Sequence, residues 1–104
     1  MYKKNPKNQV IASIYANSIW RNLRNSYLMD HPLCECCLHN GITKPAEEVH
    51  HVIYISSGKD ENEMKDIAFN KDNLIALCSD CHHKAHNNPK IKNLINNIHY
   101  ENSI

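Results

Sequence analysis

Two Cys-x-x-Cys pairs constrain this chain more than any other feature of its sequence. Cys34 and Cys37 form the first pair, and Cys78 and Cys81 form the second, after 40 intervening residues. Four thiolates supplied by two such pairs match the tetrahedral coordination of a structural zinc ion. A chain of 104 residues is long enough for one domain, but its core is small and would be stabilised by such an ion. The sequence therefore predicts a single domain, residues 1–104, with a structural zinc site.

The remaining cysteine, Cys36, lies between the ligands of the first pair and is expected to point away from the zinc. Redox-active or simply buried cysteines are the alternative to a zinc site.

The N-terminal residues lack the continuous apolar segment of a signal peptide, because Ser, Asn and Gln interrupt it. No apolar run approaches the ~20 residues of a membrane span. A cytoplasmic protein without a membrane segment is expected.

Hydrophobic periodicity and turn residues predict an α+β fold. Pro32 ends the first predicted helix, and Ser79 or Asp80 is expected to cap a later one. Residues 1–9 are expected to be disordered. In chain order, the predicted elements are a helix over 10–29, a strand over 48–55, a short helix within 61–69, a strand over 74–77, a helix from about 81 to the break at 87–89, and a last helix over 90–100.

Five of the eight histidines fall into two groups, His50-His51 and His82, His83 and His86. His82 and His86 are four residues apart and share one face of the predicted helix, which is the spacing of a two-histidine metal site. Neighbours on a strand point to opposite faces, so one of His50 and His51 could complete this set. The groups predict a second metal site beside the first, with surface histidines as the alternative reading.

Three segments of the chain resemble the HNH endonucleases, especially small phage-type members associated with DNA packaging. The segments are SIWRNLRNSYLMDHPLCECC, EEVHHVIYI and KDNLIALCSDCHHKAH. They contain a Trp/Arg/Leu helix before Pro-Leu-Cys, a His-His strand, Asp-Asn-Leu before a second strand, and Cys-x-x-Cys-His. The resemblance implies a small ββα-metal (His-Me finger) core with a zinc-knuckle pair over 33–88, between N- and C-terminal helices.

The resemblance also implies a role for each matching residue. His51 corresponds to the general base that activates water, Asn73 to the residue that holds His51 or its strand, and His82 to the last histidine of the motif. His50 occupies a position where many relatives have an aspartate metal ligand, and His86 matches a histidine found in some branches. His50, His82 and His86 would therefore bind a catalytic Mg²⁺, Mn²⁺ or Ni²⁺ for hydrolysis of DNA phosphodiester bonds.

Charge is distributed unevenly along the chain. Residues 1–29 carry five basic and no acidic side chains, residues 30–80 have a net charge of −6, and the whole chain has +1. Arg21, Arg24 and Lys84 are candidate phosphate contacts, although the basic N-terminal segment could equally be a solvated helix face.

The weak net charge is compatible with a partner such as a phage terminase or portal protein. A non-catalytic, zinc-stabilised module that binds DNA or protein is the alternative function, and the oligomeric state is open.

Overall fold

A computed structural model describes residues 6–102, which form six α-helices and a two-stranded antiparallel sheet. The elements are α1 (Pro6–Tyr15), α2 (Ser18–Asp30), α3 (Glu35–His39), β1 (Glu48–His51), α4 (Glu61–Ala68), β2 (Leu74–Leu77), α5 (Ser79–Asn87) and α6 (Pro89–Asn102). None of the helices within this range is both long and apolar enough to cross a membrane. The α+β prediction is confirmed.

The N-terminal segment forms two helices, so the prediction of one continuous helix over 10–29 was wrong. Asn17 has an extended backbone, and its side chain accepts a hydrogen bond from the Ile19 backbone N–H at 2.8 Å, which starts α2. Of residues 1–9, expected to be disordered, 6–9 lie in α1 and 1–5 lie outside the described residues. The break allows Ile14 of α1 and Trp20 of α2 to enter different parts of the core.

The two strands pair with Glu48 opposite Leu77 and His51 opposite Leu74. β2 has the predicted bounds, whereas β1 ends four residues before its predicted end, where the chain leads into a 3₁₀ turn at Ile55–Ser57. Alternation along β1 places Glu48 and His50 on one face, toward α5, and Val49 and His51 on the other, toward α2. β1 thus presents chemically different side chains to two helices.

Both cysteine pairs lie at helix N-termini. Cys34 caps α3 and Cys78 caps α5, each accepting a hydrogen bond from the backbone N–H three residues later. The expected caps of α5, Ser79 and Asp80, are instead its first two residues, so that prediction was wrong. In each case the sulfur atom satisfies one of the free N–H groups of the first turn, as a helix cap does. α6 packs Ile95 and Ile98 against this part of the core.

Candidate active site

The structure brings together the four cysteines of the two pairs. The sulfur atoms of Cys34, Cys37, Cys78 and Cys81 all lie within 4.8 Å of one another. The Cys37 sulfur is 3.9 Å from that of Cys78 and 3.6 Å from that of Cys81. A tetrahedral zinc with ~2.3 Å bonds requires sulfur–sulfur distances of about 3.8 Å, so the cluster fits this ion. Cys36 is not part of the group and is buried in the adjacent core.

A second cluster consists of His50, His82 and His86, whose candidate ligand nitrogens also lie within 4.8 Å of one another. β1 supplies His50, and consecutive turns of α5 supply the other two. The Nε2 atoms of His82 and His86 are 3.4 Å apart, close to the separation expected for two nitrogens on one metal ion with bonds of about 2.1 Å. Burial, with a smaller contribution from the neighbouring histidines, lowers the pKa of His50 to about 4 and also lowers the pKa of His86.

A hydrogen bond on the far side of the His82 ring favours the tautomer that a metal needs, and one on the far side of the His86 ring permits it. The Nδ1–H of His82 donates to the Glu48 carboxylate, and Nδ1–H of His86 can donate to the Tyr54 hydroxyl oxygen at 3.5 Å. Both arrangements leave Nε2 with a free lone pair, directed at the other ring. Two facing lone pairs are unfavourable unless a cation lies between them, and partners of this kind are typical of metal-binding histidines. The cluster therefore has the donor set of a metal site.

Neither Glu48 nor Tyr54 was identified from the sequence. A signal for Glu48 was available, because it lies two residues before His50 and so shares its face of the strand. Tyr54 follows β1 in an irregular segment, where no periodicity predicts the direction of its side chain.

His51 lies on the opposite face of β1 from the three-histidine cluster. Its Nε2–H can donate to the Ala68 carbonyl oxygen at 3.0 Å, which leaves the Nδ1 lone pair free. Its ring lies 4.7 Å from the Trp20 ring and 6.2 Å from the Tyr15 ring. Burial lowers the pKa of His51, although the Ala68 carbonyl acts in the opposite direction. The side chain is thus a neutral, oriented imidazole near pH 7.

Asn73 is buried and contacts the backbone, not the His51 ring. Its side-chain oxygen accepts from the Ile53 N–H at 2.8 Å, and its amide donates to the Ile53 and Ile67 carbonyl oxygens at 3.0 and 3.2 Å. These bonds fix the chain just after His51 and hold it against the end of α4. Of the two roles that the sequence suggested, the contacts match support of the strand backbone.

An open cleft of about 490 Å³ connects His51 with the three-histidine cluster. His50, His51, His82 and His86 all line it, together with Tyr15 and Trp20 from the N-terminal helices. Arg24 also lines the cleft and donates to the Glu47 carbonyl oxygen at 3.0 Å. Arg21 and Lys84 are exposed and are not among the lining residues, so the structure brings only one of the three predicted phosphate contacts into the cleft.

Comparison with known proteins gives one family and one similar structure. The HNH endonuclease family matches residues 34–88, more than half of the chain. The chain is similar to the crystal structure of the HNH endonuclease of the deep-sea thermophilic bacteriophage GVE2 with a manganese ion, with a TM-score of 0.66 and 27% identity. That match covers 81% of this chain and 86% of the phage protein. The comparison with curated proteins gives no significant match.

The family match spans both cysteine pairs, both strands and all four histidines of the cleft. The structural match extends over most of the chain, including part of what lies outside the family region. Together, the sequence match, the fold and the cleft identify this chain as a nuclease that belongs to the HNH endonuclease family.

Proposed function

We propose that this protein hydrolyses phosphodiester bonds in DNA, with His51 as the general base and with a divalent metal ion held by His50, His82 and His86. The observation that carries the proposal is the arrangement of one cleft, in which a neutral, oriented histidine lies on the strand next to a set of three imidazoles. A non-catalytic binding module would need neither the oriented histidine nor the three imidazoles, so the cleft favours catalysis.

His51 would take a proton from water at Nδ1, because its Nε2–H is engaged by Ala68. The Trp20 and Tyr15 rings shield the imidazole from solvent and help to keep it neutral. Asn73 would act as a positioning residue, since it holds the backbone that follows His51. The activated water would attack the phosphorus in line, giving 5′-phosphate and 3′-hydroxyl products.

The ion, when bound, would neutralise charge on the phosphate and stabilise the leaving 3′ oxygen. Imidazole nitrogens suit Mn²⁺ and Ni²⁺ better than Mg²⁺, which prefers oxygen ligands. We therefore expect Mn²⁺ or Ni²⁺ to support activity at least as well as Mg²⁺. The four cysteines would hold a structural zinc ion, in agreement with the separation of their sulfur atoms.

The biological role that we favour is in a phage or prophage, in DNA packaging. Similarity to a bacteriophage HNH endonuclease supports a phage origin, and a terminase or portal protein is the partner that packaging would require. The modest net charge of +1 is compatible with a nuclease that depends on a partner for part of its DNA affinity.

Nicking of supercoiled plasmid tests the chemistry. Purified protein that retains one zinc ion per chain is assayed with Mg²⁺, Mn²⁺, Ni²⁺ or Zn²⁺ added singly, beside His51→Ala. Loss of a general base lowers rates by about 10²–10⁴-fold, so His51→Ala should leave only trace activity while its zinc content stays unchanged. His83→Ala is the matched control, because His83 is exposed, lies on α5 and does not line the cleft.

Cleavage at the same rate by wild type and His51→Ala would overturn the base assignment. Cleavage that needs no added divalent ion and survives replacement of His82 would overturn the metal site. No cleavage with any of the four ions would count against hydrolysis by the isolated chain and favour a partner-dependent enzyme.

A further inference from the structure

Lys92 places a positive charge beside the three-histidine cluster from outside the region that matches the family. It lies on α6, after residue 88, and its side chain is exposed. The Lys92 ammonium lies 5.3 Å from the centre of the Tyr54 ring. The Tyr54 hydroxyl in turn lies 3.5 Å from His86 Nδ1, and its ring meets the His50 ring edge-on at 6.1 Å. One aromatic side chain therefore separates this lysine from the candidate metal ligands.

No acidic side chain compensates this charge within residues 6–102. Two other lysines pair with carboxylates, Lys44 with Asp80 and Lys65 with Glu61, whereas Lys92 has no carboxylate within ion-pairing distance. A divalent cation bound at the neighbouring site would repel the ammonium group, and an anion that contacts both cations would relieve that repulsion. The face of an aromatic ring is a favourable place to hold such a lysine until an anion arrives.

We propose that Lys92 binds a phosphate group of the DNA substrate just outside the cleft, beside Tyr54, which lines the metal-proximal end of the cleft and holds the lysine in place. Arg24 lines the cleft from α2, so Lys92 and Arg24 would contact the DNA from different elements of the fold. This inference rests on the proposed function, because it takes DNA as the substrate of the cleft. It also gives α6, a helix beyond the family core, a part in substrate recognition.

DNA affinity as a function of salt concentration tests the proposal independently of cleavage. Fluorescence anisotropy with a labelled duplex is measured in the His51→Ala background and without added divalent ion, so that the DNA stays intact, for Lys92→Gln, Lys92→Arg and Lys90→Gln. Lys90 is an exposed neighbour on α6, and two residues along a helix correspond to a rotation of about 200°. Lys90→Gln therefore removes one positive charge from a different side of α6.

Loss of one phosphate contact should make the slope of log affinity against log salt shallower by about 0.9 and weaken binding about fivefold at 0.15 M salt. Lys92→Arg should keep the slope, as should Lys90→Gln. In an otherwise wild-type background, Lys92→Gln should raise KM for plasmid and leave kcat largely unchanged.

Equal slopes for Lys92→Gln and Lys90→Gln would overturn the proposal. Loss of Mn²⁺ binding in Lys92→Gln would also overturn it, since Lys92 would then support the Tyr54–His86 pair and not the DNA. If the predicted slopes are found but His51→Ala cleaves like wild type, the assignment of Lys92 stands and that of the base fails.

Discussion

The cysteine cluster and the histidine cluster, to both of which α5 contributes residues, differ in their number of protein ligands and in their burial. The cysteine cluster has four protein ligands, and two of them, Cys34 and Cys78, are fully buried. The histidine cluster has three, and His86 is exposed at the cleft. A closed set of four suits a structural ion, and an open set of three leaves a position for substrate or water. Because Cys81 and His82 are neighbours on one helix, the closed site can fix the geometry of the open one.

The largest effect is expected when the closed site is broken. A structural zinc contributes about 10–16 kcal/mol in small zinc domains, as much as the ~5–15 kcal/mol net stability of a typical domain. Cys78→Ser should therefore abolish cooperative thermal unfolding and all nuclease activity. Circular dichroism and zinc content measure this directly. A folded, zinc-free Cys78→Ser protein would show that the core does not need the ion.

Breaking the open site should leave the fold intact. His82→Ala removes one of three ligands, and we expect nicking to fall by at least 100-fold, because the divalent ion is no longer held. The midpoint of thermal unfolding should change by only a few degrees, since the His82 side chain is partly exposed. Calorimetric titration with Mn²⁺ and measurement of zinc content separate the two sites. If His82→Ala also lost zinc, the two clusters would not be independent.

A smaller effect is expected from the carboxylate that orients the open site. Glu48→Gln keeps the size of the side chain but removes the charge that accepts from His82 Nδ1–H. Loss of such partners lowers metal affinity or activity by about 10–100-fold. Raising the Mn²⁺ concentration should restore much of the activity if Glu48 acts through metal binding. Glu47→Gln is the control, because the described hydrogen bonds of Glu47 involve only its backbone N–H and carbonyl groups.

Features that depend on local spacing could be predicted from the sequence. The Cys-x-x-Cys pairs, the i, i+4 histidines and the bounds of β2 follow from short-range patterns, and the structure places them as expected. The break at Asn17 was missed because apolar residues continue at helical spacing across it, and a single Asn signals a cap only weakly. Local rules also assigned the cap of α5 to Ser79 or Asp80, because cysteine is not among the usual capping residues.

Tertiary contacts that neither a motif nor the family resemblance indicates could not be predicted. The Ala68 carbonyl that orients His51 lies 17 residues away in sequence, and Lys92 reaches Tyr54 only because α6 packs beside α5. Lys84 was favoured as a phosphate contact because it shares a helix with His82. However, two residues along a helix turn a side chain to nearly the opposite side, and Lys84 is not among the residues lining the cleft.

The smallest expected effect is a shift in the pH dependence of cleavage. Only neutral His51 can accept a proton, and burial disfavours its charged form, which lowers its pKa below the ordinary 6.5. The acidic limb of kcat/KM should therefore have its midpoint below pH 6.5, and activity should be lost as the pH falls through that midpoint. A divalent cation at neighbouring His50 would move the midpoint in the same direction. Zinc content must be followed at each pH, because thiolate ligands also release their metal in acid. A midpoint at or above 6.5 with zinc retained would mean that the base is exposed in the working enzyme, or that a group other than His51 takes the proton.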